Sequence, residues 1–294
     1  MLAFITSLRH PQNSADYRRV EELLRLTLAS TANQTSDDYV VIVVGNVRPS
    51  FELPPRVHFV PVDFPAPAPP TGPRTDRAPF VWDKGTKIGI GLAAAREHSP
   101  DHVMIFDADD FVHRDLAAFL AGRRDDRGWV VDRGWMYSRS RNAYRAQNAF
   151  NRICGTCHIL PYSAYGIPDD LAVTSTQEQV AAAFGERLEA MLGAHHGAVE
   201  WHAARGRTLH AIPFRAAVYH VDTGENHSGK AMTGAARPYG RSLRRDFAID
   251  ASLGAGATWW SALRPAAIAQ SVSDYASRNR RRAARFARRV LVRA

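Results

Sequence analysis

The stretch VMIFDADDF, residues 103–111, is apolar enough to form a buried strand and ends in a group of acidic residues. Asp107, Asp109 and Asp110 repel one another unless water, a cation or a helix terminus compensates their charge. One interpretation is that Asp109 or Asp110 caps a helix that starts near Leu116. The other is that the carboxylates form a site for a divalent metal ion.

The chain before this stretch alternates strand-like and helix-like patterns. Short apolar segments predict strands at 2–8, 39–45, 56–62 and 102–107, and helical patterns occur at 15–32 and 87–98. The run YVVIVVG at 39–45 is β-branched and typical of a strand that a parallel sheet buries on both faces. This alternation predicts an α/β fold with a mostly parallel central sheet flanked by helices.

Composition and charge narrow the class of protein. The chain has 294 residues, is 45% hydrophobic, and has no apolar run near the ~20 residues that span a bilayer. It shows no signal peptide, and two cysteines exclude a disulfide scaffold, so we expect a cytoplasmic protein. Residues 271–294 hold eight arginines and one acidic residue, a net +7 that leaves +2 for the rest. We therefore expect no nucleic-acid binding by the body of the protein.

The position of the carboxylates favours the metal interpretation for two of them. Ligands of open α/β sheets bind beyond the carboxyl ends of the strands, and Asp107 ends the fourth predicted strand. Alternate residues of an extended segment share a face, so Asp107 and Asp109 can point into one crevice. Carboxylate oxygens suit Mg²⁺ or Mn²⁺. For Asp110, capping of the next helix and a further polar contact both stay open.

Together these elements resemble a known family. Their order resembles that of the nucleotide-sugar glycosyltransferases of the GT-A fold, especially the large family 2. The elements that carry the resemblance are a short strand containing Thr6, an amphipathic helix, the strand 39–45, a lysine-bearing helix and the stretch HVMIFDADD. The likeness covers residues 2–120 and, weakly, 150–228. It implies a GT-A (Rossmann-like) fold and metal-dependent transfer of a sugar from a UDP- or GDP-type donor to a glycan or lipid-linked acceptor, with Mn²⁺ or Mg²⁺ as cofactor.

The resemblance also implies roles for individual residues. Asp107 would lie near the ribose and sugar of the donor, and Asp109 would ligate the metal ion that bridges the diphosphate. The segment AVYHVDTGENHSG, residues 217–229, is similar to the closing motif of the family, so His220 or His227 would be a further metal ligand. An ordinary polar turn is the alternative for this segment.

Further donor contacts are expected at four positions. Lys84 and Lys87 open the predicted helix before the acidic strand, where a helix N-terminus and an ammonium group favour phosphate. A solvated helix start is the alternative for these lysines. By the same resemblance, Thr6 and Asn46 would flank the nucleoside, although VVGN lacks the acidic residue that the family usually has near Asn46.

The catalytic base is the least defined part of the site. Inverting members of the family have a catalytic aspartate at the start of a helix after the acceptor-side strand, and here His195 and His196 occupy that place. A histidine can act as a general base at neutral pH. A retaining mechanism, or a base elsewhere such as Glu178, stays open. In CGTCH, residues 154–158, we expect a packed strand rather than a redox or metal motif.

The second half of the chain is less regular. Residues 113–124 and 175–194 predict helices, 129–138 predict a strand, and 208–221 predict two strand pieces. We expect residues 1–112 to be the nucleotide-sugar-binding half, 113–230 to be the acceptor-binding half of the same domain, and 231–294 to be an extension that ends in an Arg-rich amphipathic helix.

The tail has several interpretations. Residues 271–294 could lie on an anionic membrane surface, could be solvated or disordered, or could contact nucleic acid. Trp259 and Trp260 could mark an acceptor or membrane edge, or could pack in the core.

Two other functions are compatible with the carboxylates. A phosphohydrolase of the haloacid dehalogenase type also has acidic residues after a strand, but that motif is near its first strand and is followed by Thr or Val, where this chain has Phe111. A catalytically silent nucleotide-sugar-binding or scaffold protein is the second alternative, since the acidic pair of the family is missing near residue 195.

Overall fold

The computed structural model describes residues 1–68, 77–123, 127–225 and 229–291, with side chains except at 278, 279 and 281–291. The helices in this part are α1 (Tyr17–Thr31), α2 (Ala78–Ala95), α3 (Leu116–Leu120), α4 (Gln177–Phe184), α5 (Ala198–Ala203), α6 (Arg241–Phe247), α7 (Ala255–Leu263) and α8 (Pro265–Leu291). The strands are β1 (Leu2–Ser7), β2 (Tyr39–Gly45), β3 (Val57–Pro61), β4 (His102–Ile105), β5 (Phe111–Val112), β6 (Gly128–Val130), β7 (Arg133–Ser138), β8 (Ala143–Asn148), β9 (His158–Pro161), β10 (Leu209–Ala211), β11 (Ala217–Val221) and β12 (Arg237–Pro238).

A central sheet runs in the order β10-β6-β9-β4-β1-β2-β3. Strands β4, β1, β2 and β3 are parallel, β9 is antiparallel to β4 and β6, and β10 is parallel to β6. All residues of β2 are buried, as its continuous apolar run predicts. The α/β class with a mostly parallel, helix-flanked sheet is therefore confirmed, and the carboxyl ends of β1, β2 and β4 lie at one edge.

Helix α2 is buried between this sheet and α4. A Cβ atom at Gly91 would lie 2.5 Å from Cγ2 of Ile5, and one at Gly89 would overlap Val180. The two glycines thus let the backbone of α2 approach β1 on one side and α4 on the other. A helix enclosed in this way has no polar face, so its sequence lacks a clear amphipathic stripe.

A second sheet has the order β12-β8-β7-β11-β5. Residues 129–138, predicted as one strand, are divided between the sheets, with β6 in the central sheet and β7 in the second. Where the chain changes sheets, the N–H of Val131 donates to the carbonyl oxygen of Cys157. Residues 208–221 form two strands, as predicted, with β10 in the central sheet and β11 in the second.

The helix predicted over 175–194 is interrupted at Gly185. Helix α4 ends at Phe184, Gly185 has φ of +53°, and the chain continues as the π-helical segment Leu188–Gly193. Glycine adopts this positive φ without a steric penalty. The segment packs against α2, where a Cβ atom at Gly193 would overlap the carbonyl oxygen of Val81. This packing fixes the path of the chain toward residue 195.

Three helices complete the chain. Helix α7 packs on β12 and β8, and α8 continues through the Arg-rich region to Leu291. No helix in the described ranges is both long and apolar enough to cross a membrane. The division at residues 112 and 230 stays a prediction, and each sheet takes strands from more than one of the three segments.

Candidate active site

The acidic turn, residues 107–110, leaves the carboxyl edge of the central sheet. The N–H of Phe106 still donates to the carbonyl oxygen of Ile5 on β1, and the N–H of Asp110 then donates to that of Asp107 at 3.1 Å. Strand β5 follows at once and belongs to the second sheet. The turn therefore connects the two sheets and presents its carboxylates between them.

Asp107 forms an ion pair with a lysine of α2. Nζ of Lys84 donates to Oδ1 of Asp107 at 2.5 Å, and the two side chains are 27% and 30% exposed. Burial raises the pKa of Asp107, but the charge and hydrogen bond of Lys84 lower it more, so the carboxyl pKa is below its ordinary value. Gly155 lies against this carboxylate, since a Cβ atom there would be 2.6 Å from Oδ2 of Asp107.

Asp110 is fully buried and is hydrogen-bonded to two other segments of the chain. Its Oδ2 accepts hydrogen bonds from Oγ1 of Thr156 at 2.6 Å and from Sγ of Cys154 at 3.0 Å. Its Oδ1 accepts one from the N–H of His220 at 3.0 Å. The prediction that Asp109 or Asp110 caps the next helix is wrong, because Asp115 is the N-cap residue of α3. Asp110 is instead a polar link between the loop before β9 and β11.

The acidic turn has more negative than positive charge around it. Burial, and then the charge of Asp107, raise the pKa of Asp109 to about 7. Oxygens of Asp107 and Asp110 and the sulfur of Cys154 lie within 4.8 Å of one another. Burial and Asp110 raise the pKa of the Cys154 thiol, which therefore stays protonated and donates to Asp110. The donor set thus fits a hard divalent cation bound by carboxylate oxygens rather than a thiolate-bound metal.

The two predicted catalytic histidines are placed differently. His195 is partly buried near Asp107, and burial lowers its pKa to about 4. Within the described structure, Nε2 of His195 is buried and accepts or donates no hydrogen bond. His196 is exposed, with its ring 4.1 Å from that of His195. Of these two histidines, His195 is therefore the one placed near the acidic turn, and its imidazole is neutral at pH 7.

A small cavity beside the ion pair is lined by Lys84, Gly155, His158, His195 and His202. Burial lowers the pKa of His158 to about 3 and that of His202 to about 4, so both imidazoles are neutral at pH 7. Sequence reasoning missed His158, His202, Gly155 and Thr156 as parts of this site. The prediction of a strand over CGTCH is wrong for residues 154–157, because β9 begins at His158 and the loop before it contacts the acidic turn.

The two lysines of α2 have different surroundings. The helix begins at Ala78 rather than at 87, so the prediction that the lysines open it is wrong. Lys87 is fully buried, and its Nζ donates to Oδ2 of Asp83 at 2.9 Å and to the carbonyl oxygen of Leu8 at 3.0 Å. Lys87 therefore lies inside the helix and is buried, so both predictions for it, a phosphate contact at a helix N-terminus and a solvated helix start, are wrong.

The predicted nucleoside contacts lie at the same sheet edge. Thr6, on β1, is fully buried, and its Oγ1 has no hydrogen-bond partner among the described residues. Asn46 follows β2 and donates through Nδ2 to the carbonyl oxygen of Phe64 at 2.8 Å. Oδ1 of Asn46 is buried and has no such partner in the described structure. Each of the two side chains therefore has a buried polar atom without a hydrogen-bond partner among the described residues.

The closing segment returns to the acidic turn. His220, on β11, is buried with its ring 5.3 Å from that of Phe111 and 5.5 Å from that of Tyr137. The metal-ligand cluster found among the described residues includes neither His220 nor Asp109, so the role of each as a metal ligand stays a prediction. His227 lies outside the described residues. Further on, Glu225 accepts hydrogen bonds from Arg9, which follows β1.

Comparisons with known proteins give a distant likeness in structure. No protein-family profile matches the chain, and no curated protein matches its sequence. Similar solved structures include S. aureus TarS residues 1–349, with 13% identity and a TM-score of 0.37, over 74% of this chain and 60% of that one. The same protein in complex with UDP-GlcNAc gives 13% identity and a TM-score of 0.41, over 79% and 62%. The chain thus spans about three fifths of the length of those chains.

Proposed function

We propose that the protein is a metal-dependent glycosyltransferase of the hexosyltransferase type, which moves a sugar from a nucleoside-diphosphate sugar to a glycan or lipid-linked acceptor. The observation that carries the proposal is the acidic turn itself. Buried carboxylates in excess of nearby cations lie at the carboxyl edge of a parallel sheet, with Lys84 paired to Asp107. A divalent cation supplies the positive charge that this arrangement lacks, and the same cation can bind the oxygens of a diphosphate.

The donor is expected to bind across the ends of β1, β2 and β4. We propose that Asp109 holds Mn²⁺ or Mg²⁺, and that Asp107 contacts the ribose or sugar. When bound, the ion supplies neutralisation of the leaving diphosphate. Lys84 is partly exposed and can contact the diphosphate while it stays near Asp107. His220 and His227 remain proposed as further ligands.

The nucleoside is proposed to lie at the edge formed by Thr6 and Asn46. The unsatisfied polar atoms of these two residues favour a ligand with its own donors and acceptors, as a base and ribose have. Lys87 is proposed to shape this region indirectly, because it binds the carbonyl oxygen of Leu8 just after β1.

We propose His195 as the base that takes the proton of the acceptor hydroxyl. Its imidazole is neutral at pH 7 and lies close enough to Asp107 for that carboxylate to stabilise the imidazolium form. His196 and Glu178 are both exposed, and we assign the role to neither. The anomeric configuration of the product distinguishes an inverting from a retaining mechanism.

The proposed location is cytoplasmic. Cys154 and Cys157 are free and buried, which fits a reducing compartment. An anionic membrane surface reached through residues 271–294 is the proposed site of encounter with a lipid-linked acceptor.

The test is the effect of nucleotides on thermal stability. UDP, GDP and dTDP are added with and without Mn²⁺, and we expect one nucleotide to raise the melting temperature only when Mn²⁺ is present. Asp109→Asn should remove this shift, whereas Asp170→Asn, at an exposed position away from the acidic turn, should retain it. No metal-dependent shift with any nucleotide would refute the proposal. A shift without sugar transfer or donor hydrolysis would favour a silent binding protein, and turnover of simple phosphate esters would favour a phosphohydrolase.

A further inference from the structure

Exposed apolar side chains are concentrated on α7 and the first half of α8. Among the described residues, nine large apolar side chains are exposed, and six of them lie between residues 259 and 275. They are Trp259, Trp260, Leu263, Ile268, Val272 and Tyr275, which we call the apolar face. Core packing of the two tryptophans, which the sequence left open, is excluded because they are 60% and 67% exposed.

The apolar face has a regular geometry. On α7, Thr258 and Ala262 are buried toward the body while the tryptophans face outward. On α8, Ile268, Val272 and Tyr275 are spaced at i, i+4 and i+7, so they form one stripe along the helix. Their exposed fractions are 48%, 64% and 65%.

Hydrogen bonds hold both helices against the body. The Arg141 guanidinium donates to the carbonyl oxygens of Ser261 at 2.9 Å and Gly234 at 2.9 Å. Oγ of Ser271, on α8, accepts from the N–H of Ala235 at 2.7 Å. The apolar face is therefore presented by fixed helices and is not the product of a frayed terminus.

The net charge of the chain around the apolar face indicates which kind of partner binds it. Between residues 251 and 294 the chain has nine arginines and a single acidic residue, Asp274. A second copy of the chain would bring two strongly positive segments together, which is unfavourable. Tryptophan side chains favour the interface of a bilayer, and arginines next to an apolar helix face favour anionic headgroups.

We infer that α7 and the first half of α8 form a docking surface for an anionic lipid bilayer. The apolar face enters the interface, and the arginines that follow along α8 add electrostatic attraction. At 1.5 Å per residue, the 27 residues of α8 extend about 40 Å along the membrane plane. Four of the six side chains of the apolar face precede residue 271, so the face begins before the Arg-rich tail, residues 271–294. The inference does not depend on the proposed catalytic activity.

The experiment is sedimentation of the full chain with phosphatidylcholine vesicles, with and without phosphatidylglycerol. We expect binding only to the anionic vesicles, and weaker binding at high salt. The double variant Trp259→Ser/Trp260→Ser should reduce the partition coefficient about tenfold or more. Arg280→Gln/Arg281→Gln/Arg282→Gln should reduce it about a hundredfold, since each arginine near the surface contributes roughly fivefold.

The matched control is Val47→Ser/Val173→Ser, which removes exposed apolar side chains elsewhere and should bind as the wild type does. Melting temperatures verify that each variant is folded. Quenching of tryptophan fluorescence by lipids brominated in their acyl chains tests insertion in the unmodified protein. The inference would be overturned by equal binding to neutral vesicles, by unchanged binding of the tryptophan variant or by an absence of quenching. A concentration-dependent dimer that the tryptophan variant abolishes would overturn it as well. Asp109→Asn should bind vesicles normally, so a failure of the catalytic proposal is separable.

Discussion

Replacing Lys87 by methionine removes one partner of an ion pair inside α2. Lys87 is fully buried, its partner carboxylate on Asp83 is 10% exposed, and the two are 2.9 Å apart one helical turn from each other. Removing one partner of such a pair leaves an uncompensated charge, which costs about 3–5 kcal/mol. Lys87→Met should therefore lose about 3–5 kcal/mol of unfolding free energy. Asp83→Leu/Lys87→Met should be more stable than the single variant, with a coupling energy of about 2 kcal/mol.

The loss should depend on pH in a defined direction. Burial raises the pKa of Asp83 while the charge of Lys87 lowers it, so without the lysine the pKa rises further. A carboxyl with a raised folded-state pKa destabilises the protein above its unfolded pKa of about 3.9, and the penalty decreases as the pH falls toward that value. The deficit of Lys87→Met should hence be largest near neutral pH and should decrease as the pH falls toward about 3.9.

The unfolding free energies and the coupling energy are measured by urea denaturation of the wild type, both single variants and the double variant. Lys84→Met is the matched control, because Lys84 is 27% exposed and its loss should cost less. A loss below about 1 kcal/mol for Lys87→Met, combined with weaker nucleotide binding, would refute the reasoning and identify Lys87 as a ligand of the donor.

Three further predictions concern the site. His195→Gln should lower the rate of sugar transfer by about 10²–10⁴ with little change in nucleotide binding, whereas His196→Gln should transfer at the normal rate, as measured by steady-state kinetics. Gly155→Ala should weaken donor binding more than it lowers the melting temperature, because its Cβ would lie 2.6 Å from an oxygen of Asp107; calorimetry with the nucleotide checks this, and unchanged affinity would contradict it. Asp109→Asn should leave the protein without a Mn²⁺-dependent gain in nucleotide affinity, and an unchanged gain would place the metal elsewhere.

The parallel strands of the central sheet could be predicted because each is encoded by a short segment of the sequence. Strands β1, β2 and β4 are continuous apolar runs, and they differ from the predicted strands by two residues or fewer at each end. The start of α2 was not predicted, because its N-cap residue, Arg77, forms no capping hydrogen bond through its side chain and offers no N-cap signal in the sequence. The division of residues 129–138 between two sheets was also not predictable, because alternation shows which face a residue occupies but not which sheet.

The site was predictable to the extent that it lies on one segment. The position of Asp107 and Asp109 after β4 follows from the strand that carries them. The partners of Asp110 are 46 residues away at Thr156 and 110 residues away at His220, and no local pattern encodes these pairings. The approach of His195 to Asp107 was expected only from the resemblance to a family.

The bonds of Asp110 have a mechanical consequence. One carboxylate ties the loop before β9 and strand β11 to the turn that carries Asp107 and Asp109. A ligand that displaces the turn would therefore also displace both segments, because the hydrogen bonds of Asp110 are direct. Whatever binds at the acidic turn is therefore connected, through one buried carboxylate, to the loop before β9 and to β11 of the second sheet.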